Sequence, residues 1–185
     1  MSQNKAVFFD RDGTLIESIN DEPPRLPSEV KFKEGAIECL RQLSKAGFML
    51  FLISNQPDLA KKKASQDSLL KVHNQFNKLL VNSGIFFERY NYCYHHPEGL
   101  DPLYSYVCKC RKPSPYFILI SKEDSHIDLN RSWMVGDRNV DIECGKRAGV
   151  RTILLTDKKS VRGRKSKLNH KVSSLKDVAS LILKR

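Results

Sequence analysis

The chain has 185 residues, 40% of them hydrophobic, and a formal net charge of +11. That length can bury one sizeable core unaided, so a single domain over residues 1–185 is expected. No run reaches the roughly 18 apolar residues of a membrane span, and Met1-Ser2-Gln3-Asn4-Lys5 leads straight into a strand with no secretory leader, which implies a cytoplasmic, reducing setting.

The first strand falls near 5–10, where Ala6-Val7-Phe8-Phe9 empties into Asp10-Arg11-Asp12-Gly13-Thr14. A continuous apolar run closed by a Gly turn reads as a strand buried on both faces. Ligands of open α/β sheets bind outside the carboxyl ends of such strands, so Asp10 and Asp12 face a crevice. Two acids so close call for a cation between them, and a hard divalent ion with oxygen ligands is the usual answer. A plain Asp-Gly turn is the competing reading.

A helix near 34–46 precedes a second apolar strand near 48–54, which ends in Ser54-Asn55-Gln56. In the helix near 65–83, Leu69, Val72, His73, Phe76, Leu79 and Leu80 form one stripe, so His73 reads as packing rather than catalysis. A third strand near 86–92 runs into Cys93-Tyr94-His95-His96, and Cys108-Lys109-Cys110-Arg111-Lys112-Pro113 follows a Pro- and Gly-rich loop. Three Cys and one His in two close pairs suit a closed, tetrahedral structural zinc. Free thiols or a disulfide are the alternatives, though a disulfide is out of place in a reducing compartment. Spacing alone leaves His95 and His96 open as the fourth ligand.

Ser114 then Pro115 reads as cap and first position of a helix near 114–123. The strand near 131–136 ends in Gly136-Asp137-Arg138-Asn139-Val140-Asp141, a further pair of acids one helical turn apart. A helix near 139–148 closes on Gly149, and a strand near 151–155 and a helix near 174–184 complete the pattern. Cys39 and Cys144 sit in helical patterns as buried thiols. Alternating strands and helices imply a doubly wound, three-layer, Rossmann-like α/β fold on a parallel sheet. Residues 158–171 carry Lys158, Lys159, Arg162, Arg164, Lys165, Lys167 and Lys171 without an acid, and Lys61-Lys62-Lys63 adds a second block. Such runs are usually solvated loops; they can also steer an anionic substrate. Few aromatics accompany them for stacking on bases, which argues against nucleic acid.

In order, Asp10-Arg11-Asp12-Gly13-Thr14, the strand ending Ser54-Asn55-Gln56, Arg111-Lys112-Pro113 and Gly136-Asp137-Arg138-Asn139-Val140-Asp141 resemble the four motifs of the haloacid dehalogenase (HAD) superfamily, over roughly residues 5–156. The resemblance implies strand order 3-2-1-4-5 and phosphoryl-transfer chemistry. Asp10 would be the nucleophile and Asp12 the general acid/base. Asp10, the Asp12 carbonyl and Asp137 would hold Mg²⁺, with Asp141 acting indirectly, through a water or by holding Arg138. Ser54, Asn55 and Lys112 would meet the transferring phosphoryl group, and Gln56, Arg111 and Arg138 would bind substrate.

The paired cysteines narrow this to a likeness with the D-glycero-D-manno-heptose 1,7-bisphosphate phosphatases and their histidinol-phosphate relatives. That likeness favours Cys93, His95, Cys108 and Cys110 around zinc. It implies a cytoplasmic enzyme with no large cap domain, acting on a small sugar bisphosphate; a monomer is expected. Histidinol phosphate is the alternative substrate, with a 3′-phosphorylated nucleic acid or a catalytically inactive binding module more remote. Two segments depart from the pattern: Pro57-Asp58-Leu59-Ala60-Lys61-Lys62 has Lys where Arg is usual, and Glu17-Ser18-Ile19-Asn20-Asp21, expected to line the sugar, is not a clean match. Arg138 stands where Lys is frequent.

Overall fold

In the computed structural model, residues 3–156 and 170–184 are described. The strands are β1 (Lys5–Phe9), β2 (Phe48–Asn55), β3 (Arg89–Cys93), β4 (Trp133–Gly136), β5 (Arg151–Leu155) and β6 (His170–Val172). The helices are α1 (Ala36–Lys45), α2 (Gln66–Asn82), α3 (Tyr116–Ser125), α4 (Asn139–Ala148) and α5 (Leu175–Leu183). All strands pair in parallel, in the order β3-β2-β1-β4-β5-β6. The sixth strand extends the expected order by one edge position. It escaped the sequence reading because His170-Lys171-Val172 is short and holds a single apolar residue. Of the basic run, residues 158–169 lie outside the described residues, and Lys171 lies in β6.

Successive side chains of a strand point to opposite faces, and both faces here are covered. Val7 and Phe9 of β1 join Leu50, Leu52, Trp133, Val135, Ile153 and Leu155 against α1, α2 and α5. Ala6 and Phe8 turn the other way and meet Phe51, Ile53 and Met134 beneath α3 and α4. Phe8 and Phe51 stack with centroids 5.1 Å apart. The continuous apolar run in β1 is therefore two alternating sets, each feeding its own layer. Among the described residues, no helix is long and apolar enough to cross a membrane.

Helix ends follow their capping chemistry with one correction. Ser65 accepts a hydrogen bond from Ser68 N at 3.1 Å and Ser174 from Asp177 N at 3.1 Å, as N-caps do. Gly149 closes α4 in the left-handed region, φ 85°. Helix α3, however, starts at Tyr116 with Pro115 as its cap, not as its first residue. The Pro115 carbonyl accepts from Leu119 N at 3.0 Å, while Ser114 Oγ is shared between the Lys109 carbonyl and Tyr116 N. Cys39 and Cys144 are each 1% exposed, and burial pushes both thiols up to about 12.

His73 stands on the α2 stripe as packing does, edge-on to Tyr90 at 4.9 Å, with Nδ1 3.0 Å from the Tyr92 hydroxyl. Below it, Phe76 is fully buried against Phe32, Phe87 and Tyr90. Phe76→Ala is expected to lower the unfolding free energy by about 3–5 kcal/mol, since it removes an aromatic side chain and leaves a cavity. Urea denaturation followed by circular dichroism measures this directly.

Candidate active site and cysteine cluster

The carboxyl ends of β1, β2 and β4 converge on one crevice. Asp10 follows β1 and donates its backbone N–H to the Val135 carbonyl at 3.0 Å, Ser54 is the last residue but one of β2, and Asp137 follows β4. Carboxylate oxygens of Asp10, Asp137 and Asp141 lie within 4.8 Å of one another. Lys112, 3% exposed, reaches in from the segment before α3. Its Nζ lies 2.7 Å from Asp10 Oδ1, 2.7 Å from the Ile53 carbonyl and 2.6 Å from Asp141 Oδ1.

The charges do not balance. Three buried or nearly buried carboxylates face one ammonium, a deficit of two positive charges. Burial, then the charges of Asp10 and Asp141, lifts Asp137 up to about 7, against the pull of Arg138 and Thr14. Burial also raises Asp10, and Lys112 offsets this only in part. At Lys112 the order reverses: burial works against the ammonium, but Asp10 and Asp141 outweigh it and hold the proton firmly. A divalent cation with oxygen ligands fits this donor set.

Asp141 faces two partners. One oxygen pairs with Lys112 and the other accepts the backbone N–H of Arg138 at 3.0 Å, so it holds that residue's main chain rather than its guanidinium. The Arg138 side chain is largely exposed, 3.8 Å from Asp137. Asp137 accepts from Thr14 Oγ1 at 3.0 Å on Oδ1. Gly13, at φ 78°, packs against the same carboxylate: a Cβ there would lie 2.5 Å from Asp137 Oδ2.

The amides after Ser54 are turned to internal work. Asn55 pairs with the Lys112 backbone in both directions, donating to its carbonyl at 3.1 Å and accepting from its N–H at 3.0 Å. Gln56, 1% exposed, donates to Asp12 and to Ser54 Oγ at 2.9 Å, which leaves the Ser54 hydroxyl proton free to donate. Asp12 is further held by Arg11, Nε to Oδ1 at 2.9 Å. Sequence reasoning assigned no role to Arg11 or Thr14. An Arg between two acids gives no hint of burial, and a Thr after Gly reads as turn, so nothing local marked either.

The four cysteine-cluster residues come together. Cys108 Sγ lies 3.5 Å from both Cys93 and Cys110 Sγ, and His95 Nδ1 lies 3.8 and 3.5 Å from Cys93 and Cys110. The edge of a tetrahedron with zinc–sulfur arms is about 3.8 Å, so the spacing suits a four-coordinate metal and is far beyond a disulfide. Nε2 of His95 is 2.7 Å from the Tyr106 hydroxyl, the kind of outer partner that orients a ligating imidazole. His96 points elsewhere, its Nδ1 accepting from Glu98 N at 3.1 Å. Arg111, two residues upstream of Pro113, donates to the His95 carbonyl at 3.2 Å.

Three loops meet at the rim. Asn20 and Asp21, both at positive φ, form the tight turn between Ile19 and Glu22. Arg25 reaches the buried Asp58 at 2.8 Å, and Lys63 reaches Glu22 at 2.8 Å. The cysteine loop joins them through backbone alone: Leu100 N and Asp101 N donate to the Ala60 carbonyl at 2.7 and 2.9 Å. Gly99 permits the approach, since a Cβ there would sit 2.9 Å from that carbonyl.

Fold, crevice and donor set together define a class, and the comparisons with known proteins agree. Residues 109–179 match the HAD-hydrolase-like family. The chain belongs to the HAD-type phosphatases, phosphoric monoester hydrolases built on this sheet. It is 35% identical over 180 residues to the D-glycero-beta-D-manno-heptose-1,7-bisphosphate 7-phosphatase of Pasteurella multocida, spanning 96% of each protein. It is 36% identical over 161 residues to the enzyme of that name from Haemophilus influenzae, spanning 86% of each. In fold it matches the D,D-heptose 1,7-bisphosphate phosphatase of B. bronchiseptica, crystallised with magnesium and phosphate, at TM-score 0.83 and 24% identity, covering 97% of this chain and 98% of that one.

Gly13→Ala is expected to lower phosphate release by about 100-fold, because positive φ strains the new residue and its methyl group displaces Asp137 from the cation site. Far-UV circular dichroism should stay unchanged; activity within about threefold of the parent would show that the carboxylate trio tolerates displacement.

Proposed function

We propose that the enzyme removes the 7-phosphate of D-glycero-beta-D-manno-heptose 1,7-bisphosphate, a step toward nucleotide-activated heptose for lipopolysaccharide. The observation that carries this is the buried trio Asp10, Asp137 and Asp141 with its single Lys112, set beside a second acid, Asp12, in a chain similar along its length to enzymes of that name. A sugar alkoxide is a poor leaving group, and Asp12 is the group that can protonate it.

Asp10 attacks phosphorus in line. A bond forms from its carboxylate oxygen to phosphorus as the bond from phosphorus to the sugar oxygen breaks. Lys112 engages Oδ1, which leaves Oδ2 as the attacking oxygen. The proton on Asp12 passes to the departing oxygen; Asp12 then takes a proton from water, whose oxygen attacks the aspartyl-phosphate and returns Asp10. The Ser54 hydroxyl and the Lys112 ammonium would donate to the phosphoryl oxygens as charge builds on them. Magnesium fits Asp10, Asp137 and the Asp12 carbonyl, with Asp141 steadying the arrangement through Lys112 and Arg138, and when bound it supplies the missing positive charge. Arg111, Arg138 and the segment Ser18, Ile19, Asn20 and Asp21 would meet the rest of the sugar bisphosphate.

Zinc fits Cys93, His95, Cys108 and Cys110. A closed site of that kind is structural, and here it would hold the loop that carries Arg111 and Lys112. Metal analysis of carefully prepared protein should find about one equivalent of zinc, and Cys108→Ser should lose it along with several degrees of melting temperature. Less than about half an equivalent in the parent protein would argue against the site.

Phosphate release from both heptose 1,7-bisphosphate anomers, histidinol phosphate and a 3′-phosphorylated oligonucleotide tests the substrate. A kcat/KM for the beta anomer at least about tenfold above all others is expected; preference for histidinol phosphate would move the enzyme to the sister group. Asp10→Asn should abolish turnover, by more than about 1,000-fold, and survival of activity would disprove the nucleophile.

A further inference from the structure

Arg11 is among the largest fully buried side chains of the protein, 1% exposed. A guanidinium removed from water needs a partner with matching geometry. Its neighbour Asp12 supplies one. Nε meets Oδ1 at 2.9 Å and Nη2 meets Oδ2 at 3.2 Å, the two-pronged contact that an Arg makes and a Lys does not. Gln56 adds a third donor on Oδ2.

The arginine is itself backed. Its guanidinium carbon lies 5.4 Å from the ring centroid of Tyr92 on β3, a cation–π distance. Tyr92 in turn is fixed through its hydroxyl, 3.0 Å from His73 Nδ1 on α2. Burial raises the Tyr92 phenol and, together with Arg11, lowers His73, so both shifts favour the neutral forms of this hydrogen-bonded pair. A continuous line of side chains thus runs from the helix layer through β3 to the second acid of the first motif.

We infer that Arg11, braced by Tyr92 and His73, is the positioning residue that holds the Asp12 carboxyl at the leaving-group oxygen. The inference rests on the reading of Asp12 as the general acid/base. A side chain that must deliver a proton has to sit within hydrogen-bond reach of the departing atom, and one on a turn needs external support to do so. Arg11 touches no reacting atom; it acts through Asp12 alone.

Leaving groups separate this role from plain stabilisation. A sugar alkoxide needs the proton as the phosphorus–oxygen bond breaks, whereas p-nitrophenolate departs as a stable anion. The kcat/KM values of heptose 1,7-bisphosphate and p-nitrophenyl phosphate, both reporting the first phosphoryl transfer, should therefore fall unequally. Asp12→Asn sets the reference: the sugar substrate should lose at least about 100-fold more than the aryl phosphate. If Asp12→Asn weakens both alike, Asp12 is not the acid, and the inference goes with that reading. If Asp12→Asn shows the skew, Arg11→Met should show it too, about 100-fold on the sugar and no more than about fivefold on the aryl substrate. Arg11→Lys, which keeps the charge and loses the fork, should show the same skew at about tenfold and serves if the Met variant does not fold. Tyr92→Leu should do likewise. Equal losses on both substrates in Arg11→Lys and Tyr92→Leu would overturn the positioning role while leaving Asp12 as the acid.

Discussion

Lys112 is the hub of the molecule's chemistry. A single ammonium, 3% exposed, bridges Asp10 after β1, the Ile53 carbonyl in β2 and Asp141 in α4. Remove it, and buried carboxylates lose their only cationic side-chain partner among the described residues, a loss far larger than a surface ion pair represents. Its own position is set twice over: Asn55 pins its backbone in both directions, and the cysteine cluster closes just two residues upstream. Asp10, the sheet and the cysteine loop are thereby tied through one side chain.

Much of this was readable beforehand because its signals are local. Apolar runs ending in Asp10, Ser54 and Asp137 located three strand ends, and paired cysteines located the cluster. The structure then brings those residues together as the strand order requires. What was not legible depends on where side chains turn. Asn55 and Gln56 read as hands for a substrate, yet they grip Lys112 and Asp12. Arg11 carried no reading at all, because a charge between two acids gives no hint that β3 will cover it with Tyr92. The first residue of α3 is Tyr116 rather than Pro115, with the Ser114 hydroxyl shared between the Lys109 carbonyl and Tyr116 N. β6 was missed for want of apolar alternation.

The cysteine cluster and the acidic crevice solve opposite problems with similar means. In the crevice, like charges crowd, and a hard cation relieves them. In the loop, there is too little apolar side chain to bury: Leu100, Leu103 and Val107 are 70%, 77% and 85% exposed. A loop of this composition cannot be ordered by a hydrophobic core of its own, and a metal held by its converging soft ligands would take over that task.

The anchorage of residues 57–63 to the cysteine loop bears on how such a protein can change over generations. The bond runs from Leu100 N and Asp101 N to the carbonyl of Ala60, and a carbonyl is present whatever side chain the residue carries. The side chains of Lys61 and Lys62 beside it take no part in that bond. Mutation can rewrite their chemistry, exchanging a forked cation for a point charge or a neutral group, while the rim keeps its shape. In this architecture, side-chain change at positions 61 and 62 and the anchorage of the cysteine loop are separable traits.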